Sequence, residues 1–171
     1  MEKKNPAATT PPTTDLTYLT SAILEAGIEI SKDSPRKRVI VPLHKTDDNK
    51  LHRMFNVMQP GTYIRPHYHK NEQKCESVVV LKGAIMFITF HLNGTIDTYQ
   101  TIKAGSDIFG VDLEPSIIHS FIVLEKDTVI YEVKPGPYIK STDKDFMLWS
   151  PEEGTTESLE YLEKLKELTK V

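Results

Sequence analysis

Between Arg53 and Ile139 the chain consists of short apolar, β-branched runs, most of them closed by a turn signal. The runs are 54–58, 77–81, 84–91, 95–102, 120–124 and 129–133. Pro60-Gly61, Lys82-Gly83, Asn93-Gly94, Ala104-Gly105 and Glu125-Lys126-Asp127 separate them. Such runs are strands, and Asn-Gly between two of them marks a tight hairpin. Many short strands with few helical stretches can bury their faces only as a sandwich or barrel. The predicted fold is mainly β, a jelly-roll barrel whose interior brings alternate side chains together.

The flanks read differently. Residues 1–14 carry Pro6, Pro11, Pro12 and several threonines, so they read as a disordered tail. A short N-terminal helix is predicted over 16–26, capped by Asp15 and stopped by Gly27. A strand over 39–43 follows. Leu159, Leu162, Leu165 and Leu168 predict an amphipathic C-terminal helix over 155–171, packed on the barrel domain of 15–154.

At 171 residues the chain can bury a core without staples. Its net charge of -3 gives no reason to expect nucleic acid or an anionic membrane as partner. One cysteine, Cys75, excludes an internal disulfide and fits a reducing compartment. No apolar stretch is long enough to span a bilayer. The charged start, Met1-Glu2-Lys3-Lys4, has no apolar core behind it, so no signal peptide is expected and the predicted location is cytoplasmic.

The chemistry concentrates at Arg65-Pro66-His67-Tyr68-His69. Side chains two apart on a strand share a face, so His67 and His69 can reach one point. Glu76 and His119 lie in strand-like surroundings and could complete a site for one divalent transition metal ion: Fe, Mn, Ni, Co or Zn. Each also has a plainer reading. The histidine pair can arise by chance, Glu76 can mark a solvated strand start, and His119 can be a hydrogen-bonded core residue. Glu72 is a rival carboxylate. Cys75 should point away from Glu76 and is expected to pack. His44, His52 and His91 are expected at the rim or in solvent.

The spacing resembles the first motif of the cupin superfamily: His-x-His, a gap, Glu76, six residues, then Gly83. The segment from Gly110 to His119 resembles the second motif, with Ser116 where cupins usually have Gly and Val123 where they often have Asn. The resemblance implies His67, His69, Glu76 and His119 as metal ligands. A narrower likeness rests on Ser34-Pro35-Arg36-Lys37-Arg38, Arg53-Met54-Phe55-Asn56, Pro60 to His67, Lys134-Pro135-Gly136-Pro137-Tyr138, Thr142 to Phe146, and Trp149 to Gly154. These are similar to the WbuC family of cupin-fold metalloproteins, which is associated with bacterial surface-polysaccharide gene clusters. That family implies fold and metal but no particular reaction.

Arg53, Tyr63, Arg65 and Tyr138 are candidate substrate-binding residues at the barrel mouth. An arginine there would suit a carboxylate or phosphate, though Arg53 and Arg65 could equally pair with Glu132 or Asp112. Three functions follow. The favoured one is a metal-dependent enzyme acting on a small molecule, such as a sugar or sugar nucleotide. A metal-dependent dioxygenase would need an apolar cavity, for which Met54, Met86, Phe87, Phe90 and Phe121 are candidates. A non-catalytic binding or sensing module is the third. A homodimer is the expectation that the cupin resemblance adds.

Overall fold

Asn93-Gly94 turns the chain back on itself between β5 (Ala84–Phe90) and β6 (Ile96–Lys103), which pair antiparallel. Gly94 has φ +85°, a left-handed conformation that favours glycine, and Thr95 donates from both N and Oγ1 to the Asn93 side chain. The computed structural model describes residues 6–70, 74–141, 143–168 and 170. The other strands are β1 (Arg38–Pro42), β2 (Leu51–Met58), β3 (His67–Tyr68), β4 (Glu76–Lys82), β7 (Gly110–Leu113), β8 (His119–Val123), β9 (Thr128–Pro135) and β10 (Asp145–Phe146). Helices α1 (Ser21–Asp33) and α2 (Thr156–Leu168) flank them.

The strands form two five-stranded antiparallel sheets, ordered β1-β2-β9-β4-β7 and β10-β3-β8-β5-β6. Sequence-distant partners such as β2 with β9 and β3 with β8 give the jelly-roll connectivity. Alternation then sorts the side chains into three apolar layers. Met58, Val78, Val80, Ile85, Phe87 and Ile130 meet between the sheets. The outer face of the first sheet buries Val39, Phe55, Val57 and Val129 beneath α1. The outer face of the second packs Met86, Ile88, Phe90 and Ile122 against Leu162 and Leu165 of α2. Burying one such leucine stabilises the fold by about 2 kcal/mol.

Three of the expectations change. The N-terminal helix spans Ser21–Asp33, not 16–26; Leu16 and Leu19 are 68% and 58% exposed. Gly27 lies inside the helix, where a Cβ would stand 2.9 Å from Val57 Cγ2 and 3.2 Å from Val41 Cγ2. It is there so that α1 can approach the sheet closely, not to stop the helix. Residues 7–9 of the expected tail run beside β1: Ile40 N donates to Ala7 O and Thr9 N to Ile40 O. Residues 1–5 lie outside the described ones.

The leucine row of α2 also divides. Ser158, Leu162 and Leu165 are buried, whereas Leu159 and Leu168 are 58% and 54% exposed. A row with a step of three drifts around a helix of 3.6 residues per turn, so only part of it faces the sheet. Thr155 caps the helix by accepting from Ser158 N at 3.2 Å.

Candidate metal centre

His67 and His119 are directly paired neighbours on β3 and β8, with ring centroids 4.4 Å apart. His69 follows β3 and places its ring 5.4 Å from His67 and 5.9 Å from His119. These three come from the second sheet and the segment leaving it. Glu76 opens β4 on the opposing sheet and reaches across, with Oε1 3.0 Å from His69 Nε2 and Oε2 3.5 Å from His119 Nε2. One ligand atom from each residue lies within 4.8 Å of the other three, and all four residues are buried.

The imidazoles are held in one tautomer. His67 Nδ1 donates to Arg65 O at 2.8 Å, His69 Nδ1 to Asp143 O, and His119 Nδ1 to Ile117 O at 2.9 Å. A carbonyl can only accept, so each Nδ1 carries the proton and each Nε2 turns a lone pair inward. His67 Nε2 is buried without a hydrogen-bond partner among the described residues, and His69 Nε2 has only the Glu76 carboxylate, 3.0 Å away. Buried polar atoms are rarely left so. Three inward lone pairs and a carboxylate fit a divalent transition metal ion, with the carbonyls as orienting partners.

Electrostatics keep the donors in their metal-binding forms. Burial pushes the His67 pKa well below 6.5, with Lys144 and His119 adding to the effect. Burial alone would raise the Glu76 pKa. Contacts with His119 and His69 and the Lys134 ammonium outweigh it, so Glu76 ionises well below its usual range. Lys134 Nζ lies 3.4 Å from Glu76 Oε1, 3.3 Å from Glu132 Oε1 and 3.3 Å from Asp143 Oδ2. Desolvation opposes its charge, but these three carboxylates raise its pKa above the ordinary lysine value. Lys74 Nζ donates to Asp143 Oδ1 at 3.0 Å, and Asn56 Nδ2 to Glu132 Oε2 at 2.7 Å.

The predicted mouth residues scatter. Arg53 alternates with inward-facing His52 and Met54, so it lies on the outer face of the first sheet, exposed, with Nη2 on Leu43 O. Tyr63 is buried toward α2, where its hydroxyl donates to Pro151 O at 2.9 Å and its ring meets Tyr161 edge-on. Arg65 donates to Ser150 Oγ and Met147 O, and its guanidinium stacks 5.1 Å over Phe146. The guanidinium thus anchors the segment after β10, while the Arg65 carbonyl orients His67. Neither arginine pairs with Glu132 or Asp112: Glu132 takes Lys134 and Asn56, and Asp112 accepts from Ser77 Oγ. Tyr138 is 40% exposed, close enough to Asp143 and Lys134 to feel their charges.

Other placements also differ from expectation. His44 and His52 are 7% and 2% exposed and stack at 4.0 Å, so neither is a solvent residue. His91 is exposed, near Asp97. Cys75 points away from Glu76 but into solvent, without packing. Glu72 lies outside the described residues. Met86 and Phe90 face α2, which leaves Phe87 and Phe121 as inward aromatics; Phe87 stacks on His119 at 5.6 Å. Lys134, Asp143 and Lys144 were not singled out from the sequence. Glu132 and Lys134, two apart in an otherwise apolar strand, were the available signal of an inward charged pair.

Comparison with known proteins adds a family model and a set of weak structural likenesses. The model of a domain of unknown function, DUF6016, matches residues 19–102. No curated protein matches the chain. Among solved structures, a tryptophan-to-tyrosine variant of Bacillus subtilis oxalate decarboxylase is 18% identical, with a TM-score of 0.45 over 58% of this chain and 24% of that one. A variant of the same enzyme changed over a four-residue stretch is 17% identical, with the same TM-score of 0.45 and the same coverage of 58% and 24%. A third structure of the enzyme, described for its Mn(II) centres, is 16% identical with a TM-score of 0.44, again over 58% and 24%. The chain thus spans about a quarter of the decarboxylase, and so weak an overlap transfers neither activity nor substrate. Its own sheets and ligand cluster make the chain a two-sheet jelly roll with a three-histidine, one-carboxylate centre fit for a divalent transition metal ion.

Proposed function

We propose that the protein is a metal-dependent cupin enzyme acting on a small molecule, with His67, His69, Glu76 and His119 holding the ion. The observation that carries this reading is the set of three Nδ1-anchored histidines whose Nε2 atoms face one buried carboxylate. When bound, the ion would supply a Lewis acid and a point of attachment for oxygen ligands. The chain's residues do the rest. Lys134 keeps Glu76 ionised, the Asp143 carbonyl sets the His69 ring, and Phe87 and Phe146 wall the histidines with apolar surface. Burial of the four ligands strengthens every charge interaction at the site.

The substrate part of the proposal is a sugar or sugar nucleotide connected with surface-polysaccharide synthesis. It rests on the WbuC-like segments of the sequence. A homodimer in the cytoplasm belongs to the same proposal. Among the described residues no helix is long and apolar enough to cross a membrane. The test is to incubate metal-loaded and chelator-stripped protein with a panel of sugar nucleotides, following products by proton NMR. Conversion that requires the metal supports the enzyme. Saturable binding without conversion favours a sensing module, and oxygen consumption with a substrate favours a dioxygenase lined by Phe87 and Phe121.

A further inference from the structure

Two buried imidazoles outside the metal centre have no part in the function proposed above. His44 and His52 flank the loop that joins β1 to β2, and their rings stack with centroids 4.0 Å apart and planes 24° from parallel. His52 faces inward from β2, and its Nε2 donates to Asp47 O in that loop at 3.1 Å. His44 Nδ1 sits against the Arg53 backbone, 3.0 Å from its O and 3.3 Å from its N. The pair thus ties both ends of the loop to each other and to β2.

A third layer closes on the stack. Gly136 follows β9 and lies so near the His52 ring that a Cβ there would stand 2.6 Å from His52 Cδ2 and would collide with Asn49 O. Gly136 N donates to Lys50 O at 2.9 Å, and Tyr138 N to Asp47 O at 2.8 Å. One carbonyl, that of Asp47, therefore receives both the His52 ring and the Tyr138 amide. The chain runs on from Tyr138 to Asp143, whose carbonyl accepts from His69, and to Phe146, whose ring is 6.1 Å from the His67 ring. The stack holds the loop, and the loop holds the near end of the strap that reaches the ligands.

Charge decides when this packing holds. Two neutral imidazoles stack well, but two imidazoliums 4.0 Å apart in a buried place repel strongly. The other charged groups that face the pair are Lys134, opposite His52 in the β2–β9 register, and Asp47. Burial, then His44 and Lys134, depress the His52 pKa below 6.5 against the contrary pull of Asp47. A group depressed in the closed form favours closure above its ordinary pKa and loses that contribution as pH falls.

We infer that the His44–His52 stack is an acid-operated latch. With both rings neutral it pins the loop of residues 44–50 to the segment 136–138; with both rings protonated it parts, and the near end of the strap over the metal centre comes free. The latch is built from contacts outside that centre and works whether or not an ion is bound.

The experiment is amide hydrogen exchange, read residue by residue by NMR on 15N-labelled full-length protein at about pH 7.5 and about pH 5.0, on either side of the ordinary histidine pKa. Rates are corrected for the intrinsic pH dependence of exchange. Gly136 and Tyr138 report the latch, and the β5–β8 ladder reports global unfolding. Protection at Gly136 and Tyr138 should fall about tenfold or more at the lower pH, with a much smaller change in the ladder. The fall should vanish in His52→Phe and in His44→Phe, where the one remaining imidazolium stacks on a benzene ring instead of on a second cation. Unchanged protection in wild type, a fall that the β5–β8 ladder matches, or a fall as large in the Phe variants overturns the inference. Should His52→Phe not fold, His44→Phe and His44→Gln decide on the same criteria.

Discussion

Lys134 Nζ sits 3.4 Å from Glu76 Oε1, behind the carboxylate that faces the three histidines. The same ammonium touches Glu132 and Asp143, so one cation serves three acids inside the barrel. Replacing Lys134 with Met would leave that carboxylate group short of positive charge. Removing one partner of a buried ionic group costs about 3–5 kcal/mol. Urea denaturation of metal-free Lys134→Met protein should show a loss of that order. A change below about 1 kcal/mol would mean that the network contributes little to the fold.

The pH dependence of stability has two windows. His67 and His52 have folded-state pKa values below 6.5, chiefly through burial. A histidine depressed in this way favours the native state above its unfolded pKa and loses that contribution as pH falls. Glu76, held below 4.5, behaves likewise one window lower. The melting temperature of metal-free protein should therefore drop as pH is lowered below about 6.5, and drop again below about 4.5. Differential scanning calorimetry checks this, and a melting temperature that rises on acidification contradicts it.

Gly27 offers a test in which the sign is informative. Glycine to alanine inside a helix normally stabilises by about 1 kcal/mol. Here the new methyl would meet Val57 Cγ2 at 2.9 Å and Val41 Cγ2 at 3.2 Å, both on short, stiff side chains. Gly27→Ala should destabilise by about 1–3 kcal/mol. A raised melting temperature would show that α1 can move away from the sheet without loss.

Ser116 occupies φ 73° before the second-motif histidine, in the left-handed region. That conformation costs a non-glycine residue about 1–2 kcal/mol. Ser116→Gly should raise stability by a few tenths to about 1 kcal/mol, after the entropy that glycine adds to the unfolded chain. Ser116→Val should lower it by more than about 1 kcal/mol, because a β-branched residue tolerates positive φ worst. Thermal melts of the two variants moving in the same direction would contradict this reading.

Much of this architecture can be read in the chain because the two periods are clean. Period 2 puts His67 and His69 on one side, and Asn93-Gly94 announces its hairpin. β7 and β10 escape because a two- or four-residue strand has too little pattern to stand out. The start of α1 misleads because Leu16 and Leu19 have helical spacing but lie 68% and 58% exposed. Gly27 misleads because a glycine that stops a helix and one that lets a helix pack closely look alike in sequence. The second tier of the site, Lys74, Lys134, Asp143 and Lys144, depends on bringing β9 and the segment before β10 to the ligands. No local pattern records that approach.

The central claim is that four residues form one metal site. Elemental mass spectrometry on untagged wild-type protein, beside His67→Ala and His119→Ala, tests it most directly. The account predicts close to one equivalent of a transition metal in wild type and a large loss in each variant, although both variants stay folded. Wild-type protein that holds no metal after reconstitution, or a variant that keeps its full complement, contradicts the account.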